Sequence, residues 1–134
     1  MPKKIRVVVS GYFNPLHIGH LAMIREAKKL GDELFVIVNS DEQVKLKGSK
    51  PFMNQQDRFE IIQSLKGVDG VIVCFDQDRS VCKTLELLNP DIFCNGGDRS
   101  SKEIPEAKTC EQMGIKMVDN VGGKKIRSSS EIIK

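Results

Sequence analysis

The chain has 134 residues and a mass of 15.0 kDa, which indicates one domain, spanning residues 1–134, with a single hydrophobic core. The formal net charge is only +3 and the basic residues form no block, which argues against a nucleic-acid partner. No stretch is apolar for long enough to cross a membrane and we expect no signal peptide, so the composition favours a cytoplasmic protein without a membrane partner.

The four cysteines, Cys74, Cys82, Cys94 and Cys110, form no C-x-x-C pair and have no zinc-binding spacing. Cys74 and Cys94 fall inside apolar runs and are expected to be core residues. We therefore expect reduced thiols and no protein-bound metal.

The first predicted strand ends in the most informative stretch of the chain. Residues 5–9 form a short apolar run rich in β-branched side chains, which is typical of a buried strand. Residues 10–20, SGYFNPLHIGH, follow directly, and apolar periodicity then predicts a helix over residues 18–30. Residues 10–20, which we call the histidine turn, therefore lie at the carboxyl end of a strand, where open parallel sheets bind ligands.

The composition of the histidine turn suits a phosphate. Gly11 allows the backbone to approach a ligand closely, and the Asn-Pro pair favours a turn. The only two histidines of the chain, His17 and His20, lie on the first helical turn, where unpaired N–H groups attract anions. Imidazole N–H groups there would donate to phosphoryl oxygens. The alternative is a tight turn with two incidental histidines, which leaves the coincidence of these features after a buried strand unexplained.

The second strand leads into a stretch rich in lysine. Residues 34–38 predict a buried strand, and residues 43–52, which are polar and contain Gly and Pro, predict a loop. Lys45, Lys47 and Lys50 would either fold over a triphosphate or form a solvated surface, and composition leaves both alternatives open.

Arg58 is the next candidate residue. Asn54 is a good N-cap for a helix that apolar spacing extends to about residue 65. Arg58 shares the inward edge of this helix with Ile61 and Ile62, and a guanidinium there requires an anionic partner. That partner is either a nearby carboxylate or a ligand.

The remaining elements complete an α/β alternation. Further strands are predicted at residues 71–75, 92–94 and 116–118, and further helices at residues 80–88 and 104–113, the first capped by Ser80. A Gly-rich loop, residues 95–99, follows the fourth strand. Three serines, residues 128–130, would start a last helix and form a second anion site there. The alternatives are that they are a simple helix cap or part of a disordered tail. The alternation predicts a Rossmann-like three-layer sandwich with a parallel sheet of about five strands.

The histidine turn resembles the signature of the nucleotidyltransferase superfamily that carries the H-x-G-H motif, which includes cytidylyltransferases and related adenylyltransferases. The matching residues are Gly11, Phe13, His17, Gly19 and His20. Asn14 stands where the usual cytidylyltransferase form has Asp, and Asn-Pro is closer to some adenylyltransferases. The stand-alone length is similar to glycerol-3-phosphate cytidylyltransferases, whereas residues 38–41 and 95–98 resemble heptose-1-phosphate adenylyltransferase domains.

The resemblance implies roles for individual residues. The implied catalytic residues are His17, His20, Lys47 and Arg58. The implied nucleotide-binding residues are Gly11, Tyr12, Phe13, Asn14, Gly19, Gly96, Gly97, Asp98, Arg127, Ser128, Ser129 and Ser130. Among these, the 96–98 stretch would lie against the base and ribose, and the serines would take the place of the closing I-S-T-T-x-I motif and bind phosphate.

The implied reaction moves a nucleoside monophosphate from a triphosphate onto a phosphorylated small molecule, with release of pyrophosphate. CTP is favoured as the donor, and ATP with a sugar 1-phosphate acceptor is the alternative. The expected cofactor is Mg²⁺ held mainly by substrate phosphates and water, and the resemblance also implies a homodimer. Alternatives of other classes are a nucleotide-binding module without catalysis and a flavodoxin-like structural domain.

Overall fold

A computed structural model describes residues 4–96 and 105–121, and these residues show the predicted α/β alternation. The described strands are β1 (Arg6–Gly11), β2 (Glu33–Val38), β3 (Gly70–Val73), β4 (Ile92–Gly96) and β5 (Lys116–Val121). The described helices are α1 (Ile18–Lys28), α2 (Asp41–Leu46), α3 (Gln55–Gln63), α4 (Cys82–Leu88) and α5 (Glu106–Met113). No helix among them is long and apolar enough to span a membrane.

The strands form one parallel sheet in the order β3-β2-β1-β4-β5. β1 is central, and Val8 pairs with Phe35 on one side and with Phe93 on the other. The chain moves outward from β1 to β3 and then returns to the other side of β1 with β4. This reversal creates a crevice at the carboxyl ends of β1 and β4, where ligands of doubly wound sheets bind.

Two hydrophobic clusters cover the two faces of the sheet. Val7 and Val9 of β1 face a cluster that contains Ile24 of α1 and Ile62 of α3. Val8 faces the opposite cluster, which contains Leu85 of α4 and residues of α5. Successive residues of a strand point to opposite faces, so the continuous apolar run of β1 is buried on both sides. The structure therefore confirms the predicted three-layer Rossmann-like sandwich.

Two predicted boundaries were wrong because side-chain caps begin the helices elsewhere. Residues 43–52 were predicted as a loop, but α2 extends to Leu46 and begins with a capping box in which Ser40 and Gln43 each accept the other's backbone N–H. α4 begins at Cys82 rather than at residue 80. The N–H groups of Lys83 and Thr84 donate to the Asp76 carboxylate at 2.7 and 3.0 Å, so Asp76 rather than Ser80 is the main cap. Both caps lie in loops at the carboxyl edge of the sheet.

Candidate active site

The start of the histidine turn packs into the core. Phe13 is 1% exposed and belongs to the cluster on the α1 face of the sheet. Its φ of +50° places it in the left-handed region, where residues other than glycine are strained. A Cβ on Gly11 would lie 2.9 Å from the Phe13 ring. The packing of Phe13 therefore requires glycine at position 11, a reason different from the close ligand approach expected from the sequence.

The two histidines form a capping box at the start of α1. His17 is the N-cap residue, and its Nδ1 accepts the N–H of Gly19 at 3.1 Å. His20 is the third helical residue, and its Nδ1 accepts the N–H of His17 at 3.1 Å. The rings stack with their centroids 3.8 Å apart, and the Phe13 ring contacts His20 edge-on at 4.8 Å. In most capping boxes a Ser and a Glu form these two reciprocal bonds. Here the H-x-G-H spacing lets two histidines form them, and the bonds hold both rings in place.

This geometry also fixes the protonation of the rings. A Nδ1 that accepts a backbone N–H carries no proton, so each ring in this arrangement is neutral and has its proton on Nε2. Burial, together with the neighbouring His17, lowers the pKa of His20 from 6.5 to about 4. His20 is therefore a neutral N–H donor at pH 7.

Arg58 joins the loops of this edge. Its Nε donates to Met53 O at 3.0 Å, and its Nη1 donates to Tyr12 O at 2.8 Å and Asn39 O at 2.6 Å. Its Nη2 pairs with Asp41 Oδ1 at 2.7 Å, and the Arg58 side chain is fully buried. Of the two partners left open by the sequence, the structure shows the carboxylate. These four bonds direct the guanidinium toward the protein framework.

The loop between α2 and α3, residues 47–54, lies against the histidine turn. Asn14 binds it with its whole side-chain amide: Nδ2 donates to Lys50 O at 2.9 Å, and Oδ1 accepts the N–H of Phe52 at 2.7 Å. Lys47 Nζ lies 4.3 Å from the centroid of the Tyr12 ring, a cation–π contact. The predicted phosphate-binding lysine is therefore beside the turn that carries both histidines.

The structure places most of the predicted residues at one edge of the sheet. Those brought together at the carboxyl ends of β1 and β2 are Gly11, Tyr12, Phe13, Asn14, His17, Gly19, His20, Lys47 and Arg58. Gly96 ends β4, the neighbour of β1, and so lies at the same edge. Gly97, Asp98, Arg127, Ser128, Ser129 and Ser130 lie outside the described residues.

Sequence reasoning missed the buried amide of Gln43. This residue is fully buried, and its Nε2 donates to Asp78 O and Ser80 O at 2.8 Å each. Its Oε1 accepts from Asn39 Nδ2 at 3.0 Å, so the end of β2 is tied to the loop after β3. The S-x-x-Q pattern at residues 40–43 is a capping-box signal that could have revealed it.

The described residues contain no group of three or more His, Cys, Asp or Glu side chains that could hold a metal ion. Mg²⁺ commonly binds through substrate phosphates and water rather than in a cage of protein ligands. The side-chain donors at this edge, the imidazole Nε2–H groups of both histidines and the Lys47 ammonium, suit phosphate oxygens and so suit a metal carried by the nucleotide.

The amino-acid sequence matches the cytidylyltransferase-like family over residues 8–134. The chain belongs to this family. Its members include nucleotidyltransferases, and the chain is a nucleotidyltransferase. This confirms the activity predicted from the histidine turn, and the alternative of a flavodoxin-like structural domain was wrong.

Two relatives of this cytidylyltransferase-like chain differ in name and in length. The FAD synthase of Aciduliprofundum boonei is 40% identical over 113 residues, which cover 84% of this chain and 74% of that protein. The bifunctional protein HldE of Koribacter versatilis is 35% identical over 121 residues, which cover 87% of this chain but only 24% of that protein.

Solved structures confirm the fold of this cytidylyltransferase-like chain. The crystal structure of the lipopolysaccharide core biosynthesis protein from Thermoplasma volcanium superimposes with a TM-score of 0.76 and 32% identity, covering 88% of this chain and 97% of that one. Thermotoga maritima TmcAL bound with alpha-thio ATP has a TM-score of 0.57 and 22% identity, covering 72% of this chain and 25% of TmcAL, a likeness of fold alone.

Proposed function

We propose that this nucleotidyltransferase moves AMP from ATP onto the phosphate of FMN, forming FAD and pyrophosphate. The observation that carries the proposal is the 40% identity to a protein named FAD synthase, of which the chain covers 74%. FAD consists of an adenylyl group joined to FMN through a pyrophosphate bond, so its synthesis requires an adenylyl donor. This proposal replaces CTP, the donor favoured by the sequence, with ATP, and it agrees with the resemblance of Asn14-Pro15 to adenylyltransferases.

A sugar 1-phosphate is the second candidate acceptor. The 35% identity to HldE and the 32% identity to a protein named for lipopolysaccharide core biosynthesis favour it. Both candidates use the same chemistry, because each acceptor presents a phosphate oxygen as the nucleophile.

The reaction fits the neutral histidines. An oxygen of the acceptor phosphate attacks the α-phosphorus of ATP in line, and the bond from that phosphorus to the β-phosphate bridging oxygen breaks. A phosphate monoester has a second pKa of about 6 and is mostly dianionic at pH 7, so the nucleophile needs no general base. His17 and His20 would donate from Nε2 to oxygens of the α- and β-phosphates as negative charge shifts toward the leaving group.

Cations would balance the charge of the leaving pyrophosphate. Lys47, which lies beside the histidine turn, would contact the phosphates. Mg²⁺, bound to phosphates and water, would supply further charge neutralisation. Arg58 would act by holding the loops in place, because its guanidinium already donates to three backbone carbonyls and the Asp41 carboxylate. A homodimer, which the family resemblance implies, and a cytoplasmic location, which the composition of the sequence favours, remain part of the proposal.

The direct test is pyrophosphate release with Mg²⁺, using ATP or CTP with FMN, a sugar 1-phosphate or glycerol 3-phosphate. We expect release with ATP and FMN, accompanied by FAD in the product analysis. Release only with ATP and the sugar phosphate would select the second candidate. Release only with CTP would overturn both, and nucleotide binding without release from any pair would indicate a non-catalytic module.

The histidine roles are tested by variants that preserve the capping box. His17→Asn retains an N-cap acceptor and His20→Gln retains a side chain that caps from the third helical position, but both lose the imidazole Nε2. We expect each to lower kcat by more than about tenfold, because the lost donor acts in the transition state. Helix content by circular dichroism should match that of the wild type. Near-normal kcat in either variant would contradict the role of that histidine.

A further inference from the structure

We propose that Asn14 is a positioning residue, which holds the 47–54 loop and its lysine over the histidine turn, and that the chain requires Asn rather than Asp at this position. The proposal rests on the proposed function only in assigning Lys47 to the nucleotide phosphates. The sequence had placed Asn14 among the nucleotide-binding residues, whereas its side chain binds the protein's own loop.

The hydrogen bonds of Asn14 define the orientation of its amide. The N–H groups of Phe52 and Met53 both point to one side-chain atom, at 2.7 and 3.4 Å, and that atom must be an acceptor. Lys50 O lies 2.9 Å from the other atom, which must be a donor. Only a side chain with a carbonyl oxygen and an NH₂ group satisfies both requirements.

Aspartate has the same shape but lacks the donor. Both oxygens of a carboxylate only accept hydrogen bonds, so Asp at position 14 would place a charged oxygen about 2.9 Å from the Lys50 carbonyl oxygen, replacing an attraction by a repulsion. The usual cytidylyltransferase form has Asp at this position. The path of the 47–54 loop in this chain is therefore linked to the departure from that form.

The loop is attached to the turn at neighbouring points. Arg58 donates to Met53 O and to Tyr12 O, which joins the end of the loop to the residues just before Asn14. Lys47, at the other end of the loop, lies over the Tyr12 ring. Without Asn14, the segment between these points loses the three hydrogen bonds that this side chain forms with it. Lys47 then spends less time beside the phosphate site, which weakens nucleotide binding.

The kinetic test compares Asn14→Asp with Asn54→Asp. Asn54 is the N-cap of α3, and its Oδ1 accepts the N–H of Asp57 at 2.8 Å, a bond that Asp forms equally well. The control adds the same negative charge close to the same loop without removing a required donor. We expect Asn14→Asp to raise the KM for ATP by at least about tenfold, and Asn54→Asp to change it by less than about twofold. Equal effects of both variants would overturn the proposal.

A second measurement is independent of catalysis. Trypsin cleaves after exposed lysines, and the chain has two such Lys-Gly bonds: Lys47–Gly48 in the loop, and Lys66–Gly67 beyond the far end of α3. We expect Asn14→Asp to accelerate cleavage at Lys47–Gly48 by at least about fivefold relative to Lys66–Gly67, because only the loop is released. Asn54→Asp should leave the ratio unchanged.

The cleavage ratio decides the proposal whether or not FAD is the product. Equal acceleration at both bonds would show that Asn14 stabilises the whole fold, and an unchanged ratio would show that it does not hold the loop. Either result overturns the positioning role. Absence of FAD formation by the wild type would instead overturn the proposed acceptor and leave the ratio as the test of Asn14.

Discussion

The two ends of the sheet are each closed by an arginine, in different surroundings. At the carboxyl end, Arg58 has a fully buried side chain and donates to three backbone carbonyls and to Asp41. At the amino end, the Arg6 side chain is 35% exposed, donates to Glu33 Oε1 and Leu88 O at 2.8 Å each, and covers the Phe35 ring. The same residue type thus holds both ends together, with solvent excluded from only one.

The difference shows which end of the sheet is held more rigidly. A buried guanidinium must satisfy its donors within the protein, so Arg58 fixes the relative positions of the loops that bear the site. Water partly solvates Arg6, so its bonds are replaceable. The amino end also relies on an exposed pair, Lys28–Asp69 at 2.7 Å. Buried bonds therefore coincide with the end of the sheet that holds the candidate active site.

The largest expected effect comes from removing the buried charge. Arg58→Met should lower the free energy of unfolding by about 3–5 kcal/mol, since it leaves Asp41 and three carbonyl groups without their donor. Arg6→Met should lower it by no more than about 1 kcal/mol. Urea denaturation of both variants measures the contrast. Similar losses would mean that the two ends are equally replaceable.

Acid should affect the two ends in different pH ranges. At the carboxyl end, the folded pKa of His20 is about 4, against 6.5 for the ordinary value, so between these pH values the unfolded chain binds a proton that the folded chain excludes. The free energy of unfolding should therefore fall by about 2–3 kcal/mol as the pH drops through this range. At the amino end, hydrogen bonds from Lys28 and the Leu34 backbone lower the pKa of Asp69, so its contribution is lost only below about pH 4.

Two variants separate these pH ranges. His20→Gln should remove most of the loss between pH 6.5 and 4, and Asp69→Asn should leave that loss intact. Urea denaturation at a series of pH values checks both. Superimposable profiles of His20→Gln and the wild type would contradict the assignment to His20.

The smallest expected effect is that of the exposed pair. A double-mutant cycle with Lys28→Met and Asp69→Asn should give a coupling free energy of about 0.2–1 kcal/mol, because water screens both partners. The coupling should vanish in about 1 M salt, where the Debye length is near 3 Å. The corresponding cycle for Arg58 and Asp41 should retain its coupling in salt, and loss of both couplings would remove the contrast between the two ends.

The sequence by itself determined the class of fold and the motif at its centre. The apolar run of β1, the alternation of strands and helices and the H-x-G-H spacing are local patterns, and local periodicity is enough to define strands, helices and their caps. The inward position of Arg58 also followed from its helical spacing to Ile62, which is buried, whereas Ile61, predicted on the same edge, is 42% exposed. The missed start of α2 was local as well, since its capping-box signal was present in the sequence.

Only the tertiary structure decided which groups the site residues contact. Asn14 and Lys50 are 36 residues apart, and Arg58 and Tyr12 are 46 apart, so these bonds depend on the path of the chain rather than on any local pattern. The same holds for the requirement for glycine at position 11, which arises from packing of the Phe13 ring rather than from a ligand. A residue's type and spacing show what it is able to bind, but its partner depends on what the folded chain brings within reach.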